Sequence, residues 1–295
     1  MRRTERVLGI VTGLAVAALS AFTAPAAQAT PAAHSMAQGN GPQSTVQVIA
    51  HRGSSGAAPE NTLAAVDLAL RQDADVVEND IQRTADGALV IVHDTTLART
   101  TDVETVFPDR APWNVRDFTL AEIKQLDAGS WFAPEFAGQR VPTLAEWAHA
   151  VGRNTGMLLE VKSPELYPGI EIDVDRELRA LPEFTQALRH GRVMMQSFNH
   201  EWLRAYDALA VDVPVGLLFG GGPPSEAKVA DAATWAQAVN PALGDITQDT
   251  VAMIHRYGLK TYTWTVNGGQ DMRRAINWGV DGVITNYPQV LRDIL

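Results

Sequence analysis

The stretch Val46-Gln47-Val48-Ile49-Ala50-His51-Arg52-Gly53 sets the reading of the whole chain. A short apolar, β-branched run reads as a buried strand, and here it stops abruptly at a basic and imidazole-bearing turn. Pro59-Glu60-Asn61-Thr62 then opens a helical pattern (Leu63, Val66, Leu68, Leu70), with Asn61 expected as its N-cap. Similar strand-like runs follow at 76–81, 88–92, 157–161, 192–196, 213–219, 261–266 and 280–285. A weaker candidate lies at Asn240-Pro241-Ala242-Leu243. Helical patterns separate most of them, at about 170–181, 200–209, 225–236, 248–257 and 270–278. Strand and helix alternating at this spacing predict a parallel sheet with helical crossovers. About eight strands in one domain favour closure, so the expected fold class is α/β, a TIM (β/α)8 barrel. No Gly-x-Gly-x-x-Gly follows the first strand and no Walker loop occurs, which leaves an open nucleotide-binding sheet unsupported. The rhythm breaks at 95–141, a stretch with Trp113, Phe118, Trp131, Phe132 and Phe136 that reads as an ordered insertion after the second strand.

The 295 residues are 46% hydrophobic and 20% charged, enough apolar material for a sizeable core and inconsistent with disorder. Arg2, Arg3 and Arg6, an apolar stretch from Val7 to Phe22 and Ala27-Gln28-Ala29 have the form of a signal peptide at 1–29, cleaved after Ala29. A flexible polar lead-in at 30–45 and a barrel domain at 46–295 complete the expected organisation. Removing residues 1–29 takes away three Arg and one Glu, leaving 21 basic and 33 acidic residues and a net charge of −12. Such a balance disfavours nucleic acid and anionic membrane surfaces as partners. There is no cysteine, so neither a disulfide framework nor a lipid-modified cysteine is available, and the product is expected to be secreted without stable membrane anchoring.

In parallel barrels the reactive groups sit where strands end. The first run ends in His51 and Arg52; the second carries Glu78 and Asp80 at i and i+2, on one face. A hairpin turning at Asp86-Gly87 returns a run ending in His93-Asp94, and 157–161 carries Glu160 followed by Lys162. Singly, each has an ordinary structural explanation, such as a surface histidine or a solvated strand face. Together, inside otherwise apolar runs, the three carboxylates require compensation by a cation or protons. Hard oxygen donors suit Mg²⁺ or Ca²⁺ better than zinc. His34, His149, His190, His200 and His255 have no partner motif.

These motifs, with Pro59-Glu60-Asn61-Thr62, Thr263-Trp264-Thr265-Val266-Asn267 and Asp281-Gly282-Val283-Ile284-Thr285-Asn286-x-Pro288, occur in the order of the glycerophosphodiester phosphodiesterase family, which the chain resembles over about 46–295. Leu126-Asp127-Ala128-Gly129-Ser130-Trp131-Phe132 resembles part of that family's insertion, whereas Asn79 is more polar than the usual occupant. The resemblance implies hydrolysis of small-molecule glycerophosphodiesters to sn-glycerol 3-phosphate and an alcohol. It implies one divalent cation, Ca²⁺ or Mg²⁺, on Glu78, Asp80 and Glu160, with Arg52 and Lys162 at the phosphate, His51 as general base and His93 as general acid. Phe198 and Trp264 would wall the substrate pocket, and Asn286 would cap the last helix. The first nucleophile is either an adjacent glycerol hydroxyl, giving a cyclic phosphate, or water. The rival readings are a secreted lysophospholipase D or phospholipase C-like enzyme, and a non-catalytic phosphodiester-binding barrel.

Overall fold

The computed structural model describes residues 46–295. The leader and lead-in expected at 1–45 lie outside the described residues. Nine strands form one sheet: β1 (Gln47–Ala50), β2 (Val76–Arg83), β3 (Leu89–Ile91), β4 (Gly156–Val161), β5 (Val193–Ser197), β6 (Val215–Phe219), β7 (Ala238–Pro241), β8 (Tyr262–Thr263) and β9 (Gly282–Thr285). Eight of them run in the order β7-β6-β5-β4-β2-β1-β9-β8, with parallel pairing throughout. The two ends of this order meet, because Val239 N donates to Lys260 O at 2.9 Å and Leu243 N donates to Trp264 O at 2.9 Å. The result is a (β/α)8 barrel with a helix after each strand unit, among them Leu63–Arg71, Leu144–Val151, Ile170–Ala180 and His200–Leu209. Among the described residues, no helix is long and apolar enough to cross a membrane.

Two expectations are corrected. The run at 88–92 is not a barrel stave: β3 pairs antiparallel with the far end of β2, off the closed ring. Its place among the eight is taken by β7, Ala238–Pro241, which begins two residues before the weaker candidate at 240–243 and overlaps it only at Asn240 and Pro241. The reason lies in the length of β2. Its eight residues pair with β4 as far as Ile81↔Val161 and then project above the rim, where Gln82 and Arg83 need a partner and β3 supplies one. Helices Leu144–Val151 and Pro182–Arg189 were not anticipated.

Alternation along the strands divides the molecule into two faces. Val77, Ile81, Leu159 and Met195 face outward into the helical shell. Ile49, Leu158, Met194, Ala238, Tyr262 and Ile284 fill the barrel interior as an apolar plug, one side chain from each of six strands. Gly216 makes room for it, since a Cβ there would lie 2.8 Å from Asn240 Nδ2 and 2.9 Å from Met194 Sδ. The carboxylates lie in the layer above, whereas Asn79 alternates with them onto the shell-facing side of β2 as a buried polar exception. Between β3 and Leu144–Val151, short helical turns close around a separate small core that includes Leu97, Val115, Phe118 and Ile123.

The turn after β1 is equally constrained. Gly53 has φ +80°, and a Cβ on it would fall 2.6 Å from the carbonyl carbon of Ala65. The helix behind starts at Leu63, capped by Thr62, whose Oγ1 accepts from Ala65 N. Asn61, expected to be the cap, is therefore free for another contact. Gly53→Ala is expected to destabilise the fold by more than about 1 kcal/mol, from strain and backbone collision together. A lower urea midpoint at unchanged m-value would register it.

Candidate active site

Above the apolar plug, β2 presents Glu78, Asp80 and Gln82 on its inner face, and β4 places Glu160 in register beside Asp80. Oxygen atoms of Glu78, Asp80 and Glu160 all lie within 4.8 Å of one another, and the three residues are only 1%, 0% and 6% exposed. Two unit charges at that separation repel by about 3 kcal/mol even at an effective dielectric constant of about 20. The arrangement therefore persists only with compensating charge.

The protein supplies part of it. Arg52, in the left-handed region at φ 57°, turns its backbone N–H onto Glu78 Oε2 at 2.7 Å. Its guanidinium donates to Glu60 Oε1 at 2.9 Å and brings Nε within 3.1 Å of Asp80 Oδ2. Lys162 Nζ donates to Glu160 Oε1 at 2.6 Å and stands 3.7 Å from Asp80 Oδ1. Asn61 uses the freedom noted above to donate Nδ2 to Asp80 Oδ2 at 2.8 Å. Burial works to raise the Asp80 pKa, but Arg52 and Lys162 outweigh it and hold the group at about 2. Burial pushes Glu160 up to about 7 against the pull of Lys162, and burial with the charges of Asp80 and Glu160 drives Glu78 well above its ordinary value. Glu78 Oε1 and Asp80 Oδ1 remain buried with no hydrogen-bond partner. Two unpaired oxygens, from Glu78 and Asp80, with Glu160 beside them fit a hard divalent cation.

Both histidines reach this layer, by different routes. His51 ends β1, and its Nδ1 lies 2.6 Å from Asn286 Oδ1 at the end of β9. Asn286 therefore does not cap the last helix, Pro288–Arg292, whose N-cap position is Tyr287. His93 arrives by descent: β3 runs back down, Val92 N donates to Asp80 O at 2.9 Å, and the next residue is His93. Gln82 Nε2 holds that turn by donating to the carbonyls of Val92 and Asp94 at 2.8 and 2.5 Å, and Tyr167 Oη donates to Gln82 Oε1 at 2.7 Å. His93 Nδ1 lies 2.6 Å from Asp94 Oδ1. Arg99 ties Asp94 to Glu60, donating to the first through Nε at 2.6 Å and to the second through Nη2 at 2.7 Å. Loss of hydration, then Arg52, lowers His51 to about 4; loss of hydration also lowers His93, with Asp80 and Asp94 opposing.

Phe198 and Trp264 meet edge to face, 5.4 Å between ring centroids, and Lys162 Nζ is 5.5 Å from the Phe198 ring centre. Trp264 is anchored by Nε1 donating to Asn240 O at 2.8 Å, while Phe198 is 47% exposed. A cleft lined by Glu160, Lys162, Ser197, Phe198, Asn199 and His200 opens beside them. A more enclosed, mainly apolar cavity lies at the opposite end of the barrel among Ile49, Val76, Leu158 and Tyr262, away from the carboxylates and histidines. All nine residues singled out in the sequence thus lie in this upper layer or on its rim. Sequence reasoning missed Asn61, Gln82, Arg99 and Asn286 as members of the site. Only Gln82 carried a signal, its i+2 spacing from Asp80.

A profile of the Glycerophosphoryl diester phosphodiesterase family matches residues 51–290. A glycerophosphodiester phosphodiesterase of Caldanaerobacter subterraneus is 40% identical over 250 residues, 84% of this chain and 97% of its own. One from Bacillus subtilis is 35% identical over 260 residues, 84% of this chain and 86% of its own. A phosphodiesterase of Oleispira antarctica, solved in complex with the product sn-glycerol-3-phosphate, superposes with a TM-score of 0.73 at 32% identity, over 84% of this chain and 96% of that one. Agreement of this extent in both sequence and fold means that the chain belongs to the glycerophosphoryl diester phosphodiesterase family and is a hydrolase of phosphoric diesters.

Proposed function

We propose that this barrel hydrolyses glycerophosphodiesters to sn-glycerol 3-phosphate and an alcohol, with a divalent cation, Ca²⁺ or Mg²⁺, held by Glu78, Asp80 and Glu160. The observation that carries the reading is the convergence of three buried carboxylates, two of them with an unpaired oxygen, with two cationic side chains and two histidines on one barrel mouth. The product bound by the Oleispira antarctica relative supports the same substrate class. A bound cation supplies positive charge to the phosphate and acidifies the attacking hydroxyl.

The remaining work falls to the chain. Arg52 and Lys162 offer charge to the other phosphoryl oxygens, the guanidinium through a planar fork and the ammonium as a point charge. His51, partnered by a neutral amide and held unprotonated near neutrality, takes the proton of the attacking hydroxyl, whether that of glycerol or of water. His93 protonates the leaving alkoxide. Its carboxylate partner favours the charged imidazolium in a way that an amide cannot, which supports this division of labour. Phe198 and Trp264 wall the pocket against the organic part of the substrate. The same reading takes residues 1–29 as a cleaved leader and the enzyme as exported.

Glycerophosphocholine hydrolysis is expected to stop in EDTA and to return with added Ca²⁺ or Mg²⁺. His51→Ala and His93→Ala are each expected to lower kcat by about 10²- to 10⁴-fold, the usual worth of a positioned acid or base; full activity in either variant would refute the assigned roles. The cation site has a pH signature. Glu160 titrates at about 7 in the folded chain against an ordinary 4.5, so the folded state binds more protons across that interval. The contribution of Glu160 to the stability of the cation-free protein therefore falls as pH rises from about 4.5 to about 7, while that of His51, lowered from 6.5 to about 4, rises from about pH 4 to about 6.5. A cation replaces those protons, so it should raise the melting temperature more at about pH 8 than at about pH 5, and Glu160→Gln should diminish the rise.

A further inference from the structure

The ring of His51 is held at one nitrogen, and what holds it is itself fixed. His51 N donates to Thr285 O at 2.9 Å, which brings the end of β1 against the turn after β9. In that turn Asn286 N donates to Asn267 Oδ1 at 2.9 Å, and Asn286 O accepts from Gly56 N at 2.9 Å. Its backbone is thus gripped from two other segments. Oδ1 then lies 2.6 Å from His51 Nδ1. A carboxamide oxygen can only accept, so Nδ1 carries the proton and the lone pair of the neutral ring is at Nε2. The reversed amide would donate to Nδ1 and move the ring proton to Nε2, leaving no lone pair there to take a proton.

We propose that Asn286 is a positioning residue that fixes His51 in the tautomer with Nδ1 protonated and Nε2 free, so that the imidazole is poised as a base before substrate arrives. The inference rests on the acid-base reading above, and it assigns to this asparagine a task that spacing alone would give to a helix cap. Asn267, whose Oδ1 accepts from both Asn286 N and Thr285 Oγ1, is the strut behind it. The charged groups around His51, namely Arg52, Asp80 and Glu60, alter how tightly the ring holds a second proton but do not choose between the two neutral tautomers as a hydrogen bond at Nδ1 does.

Ring ¹⁵N chemical shifts of the full chain labelled at histidine, with His51 assigned by difference against His51→Ala, read the tautomer directly. The wild type should show His51 protonated at Nδ1. Asn286→Ala should show a mixture of tautomers and lose about 10- to 100-fold in kcat with little change in KM, since a misoriented base forfeits much of the 10²- to 10⁴-fold that general base catalysis supplies. Asn286→Asp keeps an acceptor of the same size at Nδ1; it should restore the single tautomer and recover kcat relative to the alanine variant, and it remains available should the alanine variant fail to fold. A wild-type His51 protonated at Nε2, or an unchanged tautomer and kcat in Asn286→Ala, would overturn the proposal. Loss of glycerophosphodiester turnover from the wild-type chain itself would instead strike the acid-base reading, while the ring shifts would still decide what Asn286 does to His51.

Discussion

Three carboxylates that repel one another, on two adjacent strands, set the terms for everything else at the mouth of this barrel. Glu78, Asp80 and Glu160 have almost no contact with water, and each pairwise repulsion is comparable to a large share of the few kcal/mol by which domains are stable. The surrounding residues are best understood by what they do to that charge. Arg52 and Lys162 take one oxygen apiece from the outer pair and lean on Asp80 from both sides. Asn61 gives Asp80 a neutral donor as well. The oxygens left over lie close to those of the neighbouring carboxylates, an arrangement that could hold a metal ion.

The barrel makes such a cluster tolerable by separating layers. An apolar plug of Ile49, Leu158, Met194, Ala238, Tyr262 and Ile284 lies below it, and the helical shell packs on the opposite face of the same strands. A period of two therefore sends Val77, Ile81 and Leu159 into hydrocarbon and Glu78, Asp80 and Glu160 into the mouth. The extra length of β2 then does what no parallel strand end can do. By projecting above the rim and folding back as β3, it lowers His93 to the height of Asp80, where Gln82 secures the turn from within the same strand. Arg99, from the segment beyond, links Asp94 behind His93 to Glu60 behind Arg52, so the two halves of the site share one ionic strut.

The ease with which parts of this were read from the sequence follows the range of the interactions involved. Glu78-x-Asp80 and Glu160-x-Lys162 were legible because alternation on a strand is local geometry. The hairpin at Asp86-Gly87 was legible from its turn residues, although the strand it returns was miscounted into the ring. Nothing local distinguishes a strand that continues a barrel from one that pairs with an overhang; the candidate at 240–243 looked weaker than β3, and yet the strand overlapping it, β7, completes the ring.

The sequence by itself determined the alternation of strand and helix, the apolar and polar faces of each strand, and the types of residue that reach the mouth. Each of these depends on spacing within a few residues. Only the tertiary structure decided partnership. Asn61 and Asn286 both looked like caps, because an asparagine ahead of a helix has that ready local use. Asn61 instead bonds Asp80, 19 residues away, and Asn286 bonds His51, 235 residues away, once β9 has come to lie beside β1. A hydrogen bond of that span exists only when the ring has closed, which is why which nitrogen of His51 bears the proton is a property of the barrel and not of any motif within it.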